Sequence, residues 1–206
     1  MTSTVVVTLA LLFSAAVAGP LGTPTSPVHE TQNDLARLQA EAAAGDPAAM
    51  YQLGLRFQQG KGVRKNADEA VMWFHRAAAE GQADAMLQLG ILHESEGRGV
   101  ANDNSKAALW YGKAARLGQG SAMFYLGTLY SDGRGVRRDM VEAYKWLDLA
   151  TIYASSEDER KRAAASRDSL GRSKAMSADR VAEAKAQSVE WQRTFGPRAT
   201  SVARRD

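Results

Sequence analysis

Residues 48–80 read AAMYQLGLRFQQGKGVRKNADEAVMWFHRAAAE, residues 84–117 read DAMLQLGILHESEGRGVANDNSKAALWYGKAARL, and residues 121–150 read SAMFYLGTLYSDGRGVRRDMVEAYKWLDLA. Laid under one another, they place the same residue at the same step. Met50, Met86 and Met123 stand 36 and 37 apart, as do Gly54, Gly90 and Gly127. Val63, Val100 and Val136 repeat at 37 and 36, and so do Trp73, Trp110 and Trp146. The slip lies in the turn, where HESEGRGV is one residue longer than FQQGKGV. A fixed period of this length marks a stacked array, whose units bury their apolar faces on one another.

Each unit holds two runs of helical length split by a turn with two glycines. In the first run Ala49, Leu53 and Phe57 make one apolar face, matched by Ala85, Leu89 and His93, then by Ala122, Leu126 and Tyr130. In the second run Ala70, Trp73, Phe74 and Ala77 follow the i, i+3, i+4, i+7 template of an amphipathic helix. Ala107, Trp110, Tyr111 and Ala114 repeat it, as do Ala143, Trp146, Leu147 and Ala150. The tryptophans are therefore expected to fill the hairpin cores, in preference to forming a sugar-stacking platform. Gly54, Gly90 and Gly127 sit inside helices at about 1 kcal/mol each relative to alanine, which points to close helix approach. Gly60, Gly97 and Gly133 are placed to cap the first helices. Asn66 with Glu69, and Asp139 with Glu142, have capping-box spacing.

The recurring pattern is A-M-x-x-L-G, a turn G-[KR]-G-V, and A-x-x-W-[FYL]. It closely resembles the Sel-one-like repeat (SLR), a relative of the tetratricopeptide repeat, over roughly residues 45–150. The resemblance implies an all-α fold: a right-handed α/α superhelix, or alpha-solenoid, of three helix pairs with capping helices at both ends. It also implies a non-enzymatic scaffold that binds a protein or peptide partner, with no cofactor. Exported relatives act in envelope and polysaccharide systems. A secreted, host-directed or structural interaction protein is the alternative.

The flanks complete the expected organisation. Residues 1–18 carry no charged side chain, hold the run VVVTLALLF and end in Ala16-Val17-Ala18, which reads as a signal peptide cleaved after Ala18. No Lys or Arg precedes the run, so an uncleaved anchor competes with that reading. The expected address is exported, periplasmic or secreted, with no stable membrane span once the signal is cleaved. Residues 19–31, rich in proline and glycine, read as a flexible linker. Residues 32–44 read as an N-terminal capping helix, followed by units at 45–80, 81–117 and 118–154. Residues 155–196 read as a helical cap, with Val181, Ala184, Ser188, Trp191 and Phe195 facing the stack. Residues 197–206 read as a disordered basic tail. A monomer is expected.

Several chemistries lack their residues. There is no cysteine among 206 residues, hence no disulfide, thiol nucleophile or lipoprotein anchor. Three histidines, one of them in the linker, leave no metal constellation, and HESEG has Gly97 where H-E-x-x-H needs its second histidine. His93 shares its register with Phe57 and Tyr130, which makes it a packing residue. There is no G-x-S-x-G. Some cysteine-rich relatives are penicillin-binding or β-lactamase-like, but this chain lacks S-x-x-K, since Ser173 and Lys174 are adjacent. A net charge of +3 is too small to indicate a nucleic-acid binder.

The candidate contact residues are the positions that the repeat leaves free. Gln52, Leu55 and Gln59 stand at helical spacing off the apolar face of the first helix. Gln88, Ile91 and Ser95, then Tyr125, Thr128 and Asp132, occupy the same register. A constant frame with varied lining is the pattern of a recognition groove on the concave face. Lys61, Arg98 and Arg134 sit between the paired turn glycines and are expected to form a basic edge, with Arg64, Lys65, Arg137 and Arg138 close by.

Overall fold

The computed structural model describes residues 27–95 and 103–196, with side chains from residue 33 onward. Gly97, Arg98, Gly99, Val100, the signal segment 1–18 and the tail 197–206 lie outside the described residues, as does the linker up to residue 26. Among the described residues there are nine α-helices and no strand: α1 (Pro27–Ala43), α2 (Pro47–Gln59), α3 (Ala67–Ala79), α4 (Ala83–Glu94), α5 (Asn104–Arg116), α6 (Gly120–Asp132), α7 (Met140–Tyr153), α8 (Glu157–Gly171) and α9 (Ala178–Phe195). The helix expected from residue 32 thus takes in residues 27–31, which composition alone placed in a linker.

The units are the pairs α2–α3, α4–α5 and α6–α7, and each second helix also packs on the first helix of the next unit. The result is an all-α helical solenoid. The N-terminal helix α1 lies on α2 as a second helix would. At the other end α8 and α9 both lie chiefly on α7 rather than on each other, so they close the stack without forming a fourth hairpin.

Capping chemistry starts these helices. The side chains of Asp46, Asn66, Asp103 and Asp139 each accept from backbone N–H groups of the first turn. The reciprocal half of the expected capping boxes does not form, and the reason is visible. The backbone N–H of Asn66 donates to Phe57 O at 3.0 Å, that of Asp103 to His93 O at 2.8 Å, and that of Asp139 to Tyr130 O at 3.0 Å. The cap amide is already used to close the hairpin turn, so Glu69 and Glu142 have nothing to reach back for. Glu142 instead accepts from Lys145 and from the Trp146 indole. Gly60 and Gly133 end α2 and α6 at φ of 76° and 71°, the left-handed cap that a Cβ disfavours.

The core explains the helical glycines. A Cβ on Gly54 would stand 2.5 Å from Phe74 Cε1, and one on Gly127 would stand 2.9 Å from Leu147 Cγ. A Cβ on Gly90 would run into the ring of Tyr111. Phe74 and Tyr111 are wholly buried and Leu147 nearly so. Each glycine is therefore the floor on which the residue after the tryptophan lies. This corrects the expectation for the tryptophans: Trp73 and Trp110 are half-buried rim residues, and only Trp146 is buried. Their faces carry cations, Arg76 over Trp73 at 4.8 Å, Lys113 over Trp110 at 4.1 Å and Lys145 over Trp146 at 4.8 Å. The slot between the helices is one ring deep, and the glycine admits the smaller neighbour.

The C-terminal cap buries Ala184, Ser188 and Trp191, but Phe195 stays 46% exposed and does not cover the stack as expected. Ser188 tolerates full burial because its hydroxyl donates to Asp148 at 2.8 Å, and Arg167 donates to the other oxygen of Asp148. No described helix is long and apolar enough to cross a membrane.

Candidate interaction groove

The first helices α2, α4 and α6 carry the nine free positions, and the structure divides them. Gln59, Gln88 and Ile91 come together in an open groove of 610 Å³ between α2 and α4. Gln58, Lys65 and Leu92 complete its walls, and Ala67 and Ala70 of α3 form its floor. Side-chain amides donate and accept, so this lining offers paired polar contacts beside apolar ones. Gln52 is exposed and Leu55 half-buried; neither lines this groove.

One unit on, aromatic rings take these places among the described residues. Tyr125 stands where Gln88 stands, and its ring stacks on Tyr111 with centroids 5.2 Å apart and planes at 16°. The Tyr111 hydroxyl donates to Glu94 Oε2 at 2.7 Å, and Arg134 Nη1 donates to Glu94 Oε1 at 2.8 Å. Burial, with the Glu94 carboxylate beside it, pushes the Tyr111 phenol far above its ordinary pKa. Thr128 turns its hydroxyl back onto Tyr125 O, and Ser95 caps α4 through its backbone N–H. Tyr125 also borders an 80 Å³ cavity shared with Ser121, Phe124, Glu159 and Arg162, between α6 and α8.

The basic edge is also divided. Arg134 is neutralised, since it meets Glu94 and, at 3.1 Å, Asp132. Asp132 is thereby occupied within its own turn. Lys61 is exposed, and Arg98 lies outside the described residues. The neighbouring Arg137 and Arg138 make no ion pair among the described residues, and Arg138 donates only to the carbonyl of Ser131.

Polar bridges fix the spacing between units on this face. Gln119 donates to Asp84 at 2.7 Å, and the Ser121 hydroxyl donates to Glu159 at 2.9 Å. Tyr51 sits against Gln88 and Asp84, and burial raises its phenol above the ordinary value. Tyr51, Leu87 and Phe124, each one residue before Gln52, Gln88 and Tyr125, pack half-buried on the core. They were missed because they read as frame; their signal was an apolar residue at every repeat off the main apolar stripe.

Of the two histidines with described side chains, His93 is buried and His75 is exposed. His93 is 8% exposed at the register of Phe57 and Tyr130. His75 meets Trp110 edge-on at 5.3 Å, and partial desolvation, then His93 and Lys113, hold its imidazole below the usual range. No group of three or more metal-ligating side chains occurs among the described residues.

The family profile described as the Sel1 repeat matches residues 47–82, 83–119 and 120–151, together just over half of the chain. Among solved structures the chain is similar to a Sel1 repeat protein from Oxalobacter formigenes, at 35% identity and a TM-score of 0.58. That match covers 65% of this chain and 98% of the other. It is also similar to c5321, a protective antigen present in uropathogenic Escherichia coli strains and displaying an SLR fold, at 30% identity and a TM-score of 0.61. There 79% of this chain is covered, but only 37% of the antigen's length. No curated protein matches.

Proposed function

The chain belongs to the Sel1-repeat family, whose helical scaffolds generally mediate protein–protein interaction, and from that premise we propose that it is a non-enzymatic adaptor. An extended segment of a partner protein would seat in the groove between α2 and α4. The observation that carries this reading is the convergence of Gln58, Gln59 and Gln88 on one open groove beside Ile91. An extended backbone presents N–H and C=O groups in alternation, and three amides match that alternation without demanding a charge. Ile91 and the alanine floor supply an apolar anchor. A volume of 610 Å³ lies within the ordinary range for binding clefts. At the next junction the same register is occupied by the stacked rings of Tyr111 and Tyr125 instead of amides.

The proposed address is outside the cytoplasm, in the periplasm or beyond. It is supported by the run Val5 to Phe13 and the small residues Ala16-Val17-Ala18. Fractionation of cells expressing the tagged full chain tests it: periplasmic or medium recovery, with loss of the first 18 residues by mass spectrometry, is expected. Cytoplasmic retention with an intact N-terminus overturns it.

The groove is tested by a photo-crosslinker at residue 88 in the native envelope, followed by identification of the crosslinked protein. That partner should then bind the purified chain in titration. Replacing Gln59, Gln88 and Ile91 together with Glu should preserve helicity and a cooperative melt, with Tm lowered only by the half-buried Ile91. It should weaken the partner at least tenfold. Retained affinity in the folded variant refutes the groove.

A further inference from the structure

A second recess lies at the C-terminal end of the array, away from the groove between α2 and α4. It has a volume of 830 Å³ and is bounded by the third hairpin turn, the start of α7 and the α8–α9 connection. Arg137 and Arg138 enter it from the turn and Arg180 from α9, while Val136, Met140 and Ala175 supply apolar wall. From this arrangement we infer that the recess is a docking site for an acidic segment of a partner protein in which carboxylates are interspersed with apolar side chains.

The electrostatics carry the inference. Two arginines of the C-terminal half are neutralised by carboxylates: Arg134 by Glu94 and Asp132, Arg167 by Asp148 and Asp168. The three arginines of the recess are not. Arg138 donates its Nε to the backbone carbonyl of Ser131 at 3.0 Å. Arg180 donates Nη1 to the carbonyl of Ala175 at 2.6 Å. Arg137 has no partner among the described residues. A carbonyl orients a guanidinium but leaves its full charge and most of its N–H donors outward. Asp139 also lines the recess; its carboxylate accepts from the backbone N–H groups of Val141 and Glu142 and offsets one of the three guanidinium charges. The recess thus keeps an uncompensated positive charge on donors whose fork matches a carboxylate. Its apolar wall is what separates a peptide from a polyanionic glycan, which has no side chain to cover Val136 and Met140.

The register shows what makes this recess different. Arg64 and Lys65 hold the same places in the first turn, beside an open recess of 760 Å³, but no third cation joins them there. The middle turn has Ala101 and Asn102 at those places. Of the two described turns, the third alone receives an arginine from a distant helix into its recess.

The test is fluorescence anisotropy of the full chain with a short labelled peptide, Glu-Leu-Asp-Glu-Leu-Asp-Glu. The comparison probes are the same peptide with Leu replaced by Ser, the same peptide with Gln and Asn for its acids, and alginate as a polyuronate. The expected result is saturable binding of the first peptide that weakens as salt rises. The variant R137Q/R138Q/R180Q should bind it at least tenfold more weakly with an unchanged melting curve, and the single Arg137→Gln should fall between. The control R64Q/K65Q and the groove variant at Gln59, Gln88 and Ile91 should each change it less than twofold. Absence of binding, equal binding by the triple variant, or an equal loss in R64Q/K65Q overturns the site. Alginate or the serine peptide binding as tightly as the leucine peptide overturns the assignment to a mixed acidic and apolar segment.

Discussion

Replacing Gly90 with alanine should destabilise the protein, although alanine is the better helix former by about 1 kcal/mol. The reason is local. The new Cβ would stand 2.5 Å from Tyr111 Cδ1 and closer still to Cε1. Favourable carbon contacts lie at about 3.5–4.0 Å, so the ring would have to retreat by about 1 Å. It has nowhere to go. The ring is wholly buried, stacks on Tyr125, and is tied through its hydroxyl to Glu94 at 2.7 Å. Overpacking of this kind costs about 1–3 kcal/mol, and loosening a hydrogen bond to a carboxylate adds about 1 kcal/mol or more. Set against the helix-propensity gain, the net loss should be about 2 kcal/mol. At about 2–4 °C per kcal/mol for a chain of this size, Tm should fall by about 4–8 °C.

Gly112 supplies the control. It also lies inside a helix, α5, but a Cβ there meets nothing within 4 Å. Gly112→Ala should therefore stabilise by about 0.5–1 kcal/mol. Thermal and urea melts of both variants, with Gly90→Ala repeated in a Tyr111→Leu background, complete the set. Leucine is the residue that fills the equivalent slot over Gly127, and the cost of Gly90→Ala should shrink by about 1 kcal/mol when the rigid ring is gone. If Gly90→Ala melts at or above wild type, or if the two changes are additive, the ring-on-glycine explanation of the repeat is wrong.

Three further outcomes follow from other contacts. Gln82 precedes α4 without a side-chain cap, unlike Asp46 and Gln119 at the same register. Gln82→Asp should raise stability by about 0.5–1 kcal/mol in urea melts, and no gain would contradict the capping argument. Ser188→Ala removes a buried donor to Asp148 and should cost about 1–2 kcal/mol, whereas a neutral result would mean that solvent already satisfies Asp148. Hydrogen bonds from Ser155, then from Ser121, hold the Glu159 carboxyl below its ordinary 4.5. A carboxyl depressed in the folded state binds protons more readily when unfolded, so its contribution is present above about pH 4.5 and fades as pH falls through the folded value. Melting curves from pH 6 down to about pH 3 should fall less steeply for Glu159→Gln than for wild type; parallel curves would remove Glu159 from the acid response.

The frame was legible because its constraints are steric and recur. A ring over a glycine admits no substitute for that glycine, so Gly54, Gly90 and Gly127 stay constant while Phe74, Tyr111 and Leu147 vary above them. The tryptophans drew attention by being identical, yet they sit on the rim, and no periodicity separates rim from core when the two residues are adjacent. The C-terminal pair was legible only as helices. Nothing in the pattern of α8 and α9 says that both lie on α7, where Arg167 of α8 and Ser188 of α9 meet Asp148 from 19 and 40 residues away.

Whether a free position opens or closes a groove is not a property of that position. Gln88 and Tyr125 share a register, but Tyr125 stacks on another tyrosine, held by Glu94, which Arg134 reaches from the following turn. At the first junction Phe74 has no hydroxyl to anchor, Gln58 replaces Glu94, and the space stays open. That chain of contacts depends on four residues from three successive elements and the turn after them. The basic edge obeys the same rule. Arg134 and Arg137 are close neighbours in sequence, yet one is cancelled by the preceding unit and the other is left bare beside an arginine from α9. In a repeat array the shared residues fix how units stack, and the pairings between successive units decide which surfaces remain available for a partner.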